Sequence, residues 1–127
     1  AYIGNQYHLE IFGEELFPDL LFLNRELNCM VVVELKKGVF KPSYIGQLQT
    51  YMKVLDDKVR KPHENPTIGI LLCKSANKAF VEYVIRDYNH PMGVATYKTA
   101  EDMSEELRKA LPDMDEMRKL LTDDGDD

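Results

Sequence analysis

The chain of 127 residues contains no apolar run long enough to cross a membrane. A membrane helix needs about 18–20 consecutive apolar residues, and the longest run here, around residues 30–33, is broken by Glu34. The chain also does not open with a basic stretch followed by an apolar one, so no secretion signal is expected. These two absences predict a cytoplasmic protein that does not bind a membrane.

Cysteine is scarce, and histidine follows no pattern. Cys29 and Cys73 each lie in an apolar run with the composition of a strand. Buried, reduced thiols are therefore predicted, and a disulfide is the alternative. The three histidines have no metal-ligand spacing among themselves or with the cysteines, which argues against a zinc site.

Internal repeats are absent, and the only low-complexity stretch is the acidic end of the chain. The length allows one domain with one hydrophobic core. We expect that domain to span residues 1–100 and to be followed by a polar, helical and acidic tail, residues 101–127.

The net charge of −6 is concentrated in the predicted tail. Residues 101–127 hold 11 acidic and 4 basic side chains, whereas residues 1–100 hold 11 acidic and 12 basic ones. Within residues 36–61 there are 7 basic side chains and 2 acidic ones. This segment is compatible with phosphate contacts, and equally with an ordinary solvated surface.

Hydrophobic periodicity predicts the element order β-β-β-α-β-α-β. Residues 7–12, 16–23 and 29–36 read as strands joined by short turns, which predicts an antiparallel meander. A helix is predicted from a Ser43 N-cap, with a second helix over residues 78–88 capped by Ser75 or Asn77. Strands are predicted over residues 67–73 and 92–97. The fold class is therefore α/β or α+β, with a mixed β-sheet flanked by helices.

Both predicted helices have apolar stripes at three- and four-residue steps. The stripe of the first contains Tyr44, Ile45, Leu48, Tyr51, Met52, Leu55 and Val59. The stripe of the second contains Phe80, Val81, Val84 and Ile85. We expect these stripes to face the sheet.

Charged residues interrupt two of the predicted strands. Asp19 breaks the run FPDLLFL, and Glu34 and Lys36 end the run VVVELKK. Side chains alternate along a strand, so Glu34 and Lys36 share one face, which Asp19 can approach from a paired neighbour. Buried carboxylates are costly without compensation, and a hard divalent cation supplies it. A purely structural Glu–Lys pair with an Asp in a turn is the alternative.

Gln47 follows on the first helix, and its i−3 and i+4 neighbours are Tyr44 and Tyr51. An amide in that position can hydrogen-bond a lysine, a water or a phosphate. Taken alone, a helical glutamine is most often a solvated residue, so its meaning depends on the motif before it.

The combination PD-x14-ELK followed by GQLQTY resembles the PD-(D/E)XK nuclease superfamily, in the version that adds a glutamine from the next helix. The wider pattern is similar to the YhcG-type nuclease domain of bacterial proteins. Matching stretches include IGNQYHLEI, GEELFPDLLF, VVVELKKGVFKPSYIGQLQTYMKVLD and HENPTIGILLCKS, and the resemblance covers about residues 3–98. It implies a restriction-endonuclease-like core that here lacks the superfamily's first helix.

The resemblance also implies roles for individual residues. Asp19 and Glu34 would bind Mg²⁺ or Mn²⁺, Lys36 would be catalytic, and Gln47 would support them. Glu10 is a further candidate ligand whose position depends on hairpin register. Candidate substrate-binding residues follow the motif, namely Lys37, Lys41, Tyr44 and Tyr51.

The implied function is metal-dependent hydrolysis of phosphodiester bonds in DNA. A non-catalytic nucleic-acid-binding or assembly module with the same fold is the alternative. A helical N-terminal domain, usual in the family, would belong to the full-length protein, and a homodimer is compatible with the sequence. The form of the DNA and any sequence specificity stay open, because no base-reading motif is present.

Overall fold

The structure is a computed structural model that describes residues 2–5 and 7–96. Its elements, in chain order, are β1 (Tyr2–Asn5), β2 (Leu9–Ile11), β3 (Glu14–Leu16), β4 (Leu20–Asn24), β5 (Cys29–Leu35), α1 (Pro42–Lys58), β6 (Asn65–Cys73), α2 (Lys78–Ile85) and β7 (Met92–Thr96). Residue 97 of the predicted last strand and the predicted tail, residues 101–127, lie outside the described residues.

The main sheet has five strands in the order β1-β4-β5-β6-β7. The pairs β1–β4 and β4–β5 are antiparallel, whereas β5–β6 and β6–β7 are parallel. A short turn over residues 25–28 can join only antiparallel neighbours, and parallel neighbours need a crossover, which α1 and α2 supply. The predicted mixed sheet flanked by helices is confirmed.

The predicted three-stranded meander is wrong in its first half. Residues 16–23 do not form one strand, because β3 ends at Leu16 and β4 begins at Leu20. Pro18 lies in the gap, and proline has no N–H to donate to a strand ladder. As a result, β2 and β3 form a separate two-stranded sheet, and β1 takes the place beside β4.

The β2–β3 hairpin turns through a two-residue loop, Phe12-Gly13. Both loop residues have positive φ, 51° for Phe12 and 82° for Gly13. This pattern is that of a type I′ turn, whose twist matches the flanking strands. Phenylalanine rarely adopts such a conformation, and its side chain here is 96% exposed.

Helix α1 covers one face of the main sheet. Its buried stripe agrees with the prediction and includes Tyr44, Ile45, Leu48, Tyr51, Met52 and Leu55. Gly69 of β6 lies under Met52, and a Cβ at this position would collide with the Met52 sulfur. The helix begins at Pro42 after Lys41 rather than at a Ser43 cap, because proline at the first helical position needs no N–H partner.

Helix α2 is shorter than predicted and ends at Ile85. Asn77 caps it, as one of the two predicted candidates, by accepting a hydrogen bond from the Phe80 N–H at 3.2 Å. Val81 is buried as expected, but Phe80 is 45% exposed and does not belong to a fully buried stripe.

The two cysteines are buried reduced thiols, as predicted. Cys29 belongs to the core on one face of the sheet and Cys73 to the core on the other. Burial raises the pKa of the Cys73 thiol to about 11. Across the part of the chain that the structure describes, no helix is long and apolar enough to span a membrane.

Candidate active site

Strand register brings two carboxylates together at one end of β4 and β5. Leu20 pairs with Val33 in this antiparallel ladder, so the preceding residue, Asp19, comes beside Glu34. The Asp19 backbone N–H donates to Glu34 Oε2 at 2.8 Å. In return, Asp19 Oδ2 accepts a hydrogen bond from the Leu35 N–H at 2.8 Å. Each residue therefore fixes the other across the two strands.

Glu34 is an ionisable side chain in an apolar position, with only 2% of its surface exposed. Burial, and then repulsion by the Asp19 carboxylate, raise the pKa of Glu34 from 4.5 to about 8. The Asp19 N–H and the positive charge of Lys36 act in the opposite direction but do not compensate. This balance leaves a site in which added positive charge is stabilising.

Lys36 continues the alternation of the strand, so its side chain is on the same face as Glu34. It is 9% exposed, and its Nζ lies 4.7 Å from the centroid of the Tyr44 ring. The Lys41 Nζ lies 5.6 Å from the same centroid. Tyr44 at the start of α1 therefore connects the motif lysine, Lys36, to the basic loop that follows β5 (residues 36–41).

Gln47 and Tyr51 lie one helical turn apart on α1. The Gln47 amide donates to the Tyr51 hydroxyl at 3.0 Å. Burial, and then the charge of the nearby Glu34, raise the pKa of Tyr51 to about 12. Gln47 thus reaches the carboxylate pair through Tyr51.

This role for Tyr51 was missed by sequence reasoning, which assigned it to substrate binding. The side chain is 5% exposed and faces Glu34 rather than solvent. The i, i+4 spacing of Gln47 and Tyr51 was the available signal, because residues with this spacing meet on a helix surface.

Glu10, the further candidate ligand, is not brought to this pair. It lies exposed on β2, directly opposite Glu15 of β3, in the separate two-stranded sheet. Within residues 7–96, no cluster of three or more histidine, cysteine, aspartate or glutamate side chains is placed to hold a metal ion. The hairpin register, which the sequence left undetermined, places Glu10 in this exposed pair.

The donor set at Asp19 and Glu34 nevertheless fits a hard divalent cation. Mg²⁺ is commonly bound through one or two carboxylates, with water and substrate phosphate oxygens completing its coordination. Glu34 is buried and lies beside a second carboxylate. Burial and the neighbouring negative charge both disfavour its ionised form unless positive charge is added. These two side chains are the ones that would hold such an ion.

Comparison with known proteins identifies the family. A profile of the YhcG PDDEXK nuclease domain matches residues 1–112. The chain belongs to this family. Within the described residues, its architecture is a mixed five-stranded sheet with two helices and a separate two-stranded sheet.

Two individual proteins are similar to the chain. "Putative nuclease YhcG" of Escherichia coli (strain K12) is 33% identical over 98 residues, which cover 77% of this chain and 26% of that protein. The chain therefore spans about a quarter of the length of this curated relative. The crystal structure of a repair endonuclease from Pyrococcus abyssi aligns with a TM-score of 0.47 and 18% identity, over 75% of this chain and 36% of that one.

Proposed function

We propose that this domain hydrolyses phosphodiester bonds of DNA with the help of Mg²⁺ or Mn²⁺. One observation carries the proposal, namely the buried Asp19–Glu34 carboxylate pair with Lys36 on the same face of β5. Ionised carboxylates in such a place are stabilised by a cation, and the chain belongs to a nuclease family.

Asp19 and Glu34 would hold the cation. When bound, the ion polarises a phosphoryl oxygen and lowers the pKa of a water molecule. Lys36 presents an ammonium group to the same face and stabilises negative charge that develops on the phosphate. The Tyr51 hydroxyl lies near the Glu34 carboxylate, and Gln47 orients Tyr51.

A second function, binding without cleavage, is favoured by the small number of acidic ligands. Among the residues the structure describes, two carboxylates meet at the site and no third candidate side chain joins them. A domain of this kind would hold nucleic acid through its basic loop and leave the phosphodiester bond intact.

Cleavage of a fluorescent DNA substrate separates the two functions. We expect product with Mg²⁺, none with EDTA, and a rate at least about 10²-fold lower for Asp19→Asn. Glu10→Gln is the matched control, because it changes an acidic residue outside the pair and should leave the rate unchanged. Binding to DNA without any metal-dependent product would favour the second function.

The substrate and partners of the whole protein depend on more than this domain. Because the curated relative is about four times longer than the matched region, we propose that another region delivers the DNA or joins the subunits. Comparing a longer protein with this chain in the same assay tests that role, since the longer form should require less enzyme for the same rate.

A further inference from the structure

An exposed apolar surface lies at the same end of the sheet as the candidate active site. Val39 is 58% exposed and Phe80 is 45% exposed. Three exposed lysines belong to the same segments, namely Lys41 after Val39, Lys74 at the end of β6, and Lys78 at the start of α2. We call these five residues the basic lip.

Backbone hydrogen bonds hold the parts of the lip together. Beyond the end of β5, the Lys36 N–H donates to the Leu72 carbonyl at 2.8 Å, which continues the parallel ladder with β6. The Lys74 N–H then donates to the Gly38 carbonyl at 3.0 Å, and Val39 forms a parallel bridge with Ser75. The loop that carries Val39 is therefore fixed beside the residues that lead into α2.

The side chain of Phe80 packs against a buried aromatic residue. Its ring contacts the buried ring of Phe40 edge-on, with 6.0 Å between centroids and 77° between planes. The Phe40 N–H is itself bonded to the Ser75 carbonyl at 2.9 Å. Phe80 is thus an ordered aromatic side chain that keeps almost half of its surface in water.

Tyr44 connects the lip to the motif lysine. Both Lys36 and Lys41 place an ammonium group near the Tyr44 ring, at 4.7 Å and 5.6 Å from its centroid. A strand whose phosphate lies at Lys36 can therefore reach Lys41 with a nearby phosphate. Through Tyr44, the lip therefore lies next to the motif lysine.

An exposed aromatic ring among lysines suits a nucleic acid with unpaired bases. Lysines neutralise phosphates whether the strand is paired or single. Aromatic side chains instead gain affinity by stacking on the flat face of a base, which is accessible only when the base is unstacked. In an intact duplex, those faces are covered by neighbouring base pairs.

We propose that the basic lip binds single-stranded nucleic acid, with a base stacked on Phe80, a smaller apolar contact to the strand at Val39, and the phosphates on Lys41, Lys74 and Lys78. The strand would be a single strand, a frayed end or a branch next to the phosphate at Lys36. Only this last placement rests on the proposed nuclease function, because binding by the lip needs no cleavage.

The first test compares two exposed phenylalanines of the 127-residue chain in EDTA, with binding to a labelled single strand and to a duplex measured by fluorescence anisotropy. Phe80→Leu keeps an apolar contact with Phe40 but removes the flat ring. We expect it to weaken binding of the single strand about tenfold and to leave duplex binding unchanged. The matched control, Phe12→Leu, changes an exposed ring on the acidic hairpin and should change neither affinity.

Thermal unfolding shows whether the Phe80→Leu protein is folded. Val39→Ser is a second variant that should leave folding intact, because the Val39 side chain is mostly exposed to water. Val39→Ser should weaken binding of the single strand about two- to threefold, since it removes a smaller contact. The proposal is overturned if both variants bind the single strand like the parent, or if they lose single-strand and duplex affinity equally.

The second test measures how binding of the single strand depends on salt. Lys74→Ala with Lys78→Ala should reduce the slope of log K against log salt by about 1.4, because each phosphate contact contributes about 0.7. Lys53→Ala with Lys58→Ala removes the same charge from exposed positions elsewhere on α1. Equal slopes for the two double variants would contradict a phosphate role for the lip.

Failure of the lip and failure of the nuclease function give different results. If single-strand binding depends on Phe80 but no cleavage product forms with Mg²⁺, the proposal for the lip is supported and the nuclease proposal fails. If cleavage product forms with Mg²⁺ but single-strand binding does not depend on Phe80, the nuclease proposal is supported and the proposal for the lip fails.

Discussion

Within residues 7–96, two pairs of acidic residues face each other, and they have opposite surroundings. Glu10 and Glu15 face each other across β2 and β3, and both are exposed. Asp19 and Glu34 meet across the start of β4 and the end of β5, where Glu34 is 2% exposed. Water screens the first pair, whereas the second must be compensated by protons, hydrogen bonds or a cation. Proximity of two carboxylates therefore indicates a site only when burial accompanies it.

The two pairs also differ in the groups that contact them. Around Glu34, a lysine, a tyrosine and a backbone N–H are held by the sheet and by α1. Around Glu15, the only described partner is an exposed His8 at 3.0 Å. A partner as exposed as this contributes little, because solvent screens the pair. Most of the following experiments compare a change at or near Glu34 with a matched change at an exposed position.

The largest effect is expected from Lys36→Met, which removes the ammonium group and keeps an unbranched apolar side chain beside Tyr44. Loss of a group that stabilises developing charge typically lowers a rate by ~10²–10³-fold. Steady-state cleavage of DNA with Mg²⁺ measures it, and Lys53→Met on the outer surface of α1 is the control. A Lys36→Met protein that cleaves at the parent rate would show that this lysine only balances charge.

The second effect concerns stability and pH without metal. The folded-state pKa of Glu34 is raised from 4.5 to about 8, so the folded state binds more protons than the unfolded state between these values. The free energy of unfolding should therefore fall as pH rises from about 5 to about 8, by on the order of a few kcal/mol.

Urea unfolding in EDTA at pH 5, 6.5 and 8 measures this dependence. Glu34→Gln should flatten it, because an amide does not titrate in this range. Glu10→Gln changes the exposed pair and should retain the parent's slope. A slope that is unaffected by Glu34→Gln, or is abolished by Glu10→Gln, would remove the distinction between the two pairs.

A moderate effect is expected from Tyr51→Phe. The change removes the hydroxyl that accepts a hydrogen bond from Gln47 near Glu34 and leaves the ring in the core. A typical hydrogen bond contributes about 0.5–1.5 kcal/mol, so we expect up to roughly a tenfold lower cleavage rate and a lower unfolding midpoint. Tyr83→Phe, an exposed tyrosine on α2, is the control and should match the parent in both measurements.

The smallest effect is expected at the hairpin and has the opposite sign. Phe12→Asn creates an Asn-Gly loop, and this pair is preferred where both residues have positive φ. Because a bulky residue is strained in that conformation, the free energy of unfolding should rise by about 0.5–1 kcal/mol. Thermal unfolding measures the change, and an unchanged cleavage rate would confirm that the hairpin is separate from the site.

Much of the fold followed from the sequence because period and length determine it. The three- and four-residue steps of α1 and the β-branched run of β5 predict these elements directly. The split of the strand at Pro18 was harder to predict, because LFPDLLFL has strand composition throughout. A missing backbone donor does not change the apolar pattern, although it ends the pairing.

The candidate site was predictable where chemistry depends on spacing along one strand. Glu34 and Lys36 share a face by alternation, and Asp19 reaches them once β4 and β5 pair. The exposure of Glu10 and the position of Tyr51 next to Glu34 were not predictable. Both depend on hairpin register and on the way α1 sits over the sheet, which is set by contacts such as Gly69 against Met52.

Another determinant that the sequence did not reveal lies at the opposite end of α1. The Asp56 carboxylate accepts hydrogen bonds from the Thr67 N–H at 2.9 Å and from its hydroxyl at 2.7 Å. These bonds tie the last turns of α1 to the start of β6, and Thr67 is fully buried. Asp56 looks like an ordinary surface residue in the sequence, because its partner is 11 positions away.

Calorimetric titration of Mn²⁺ into the metal-free protein at pH 8 tests the central claim most directly. The account predicts that the Asp19–Glu34 pair binds the ion, that Glu34→Gln weakens binding by more than about tenfold, and that Glu10→Gln binds like the parent. Equal Mn²⁺ affinity in the parent and the Glu34→Gln protein would contradict it.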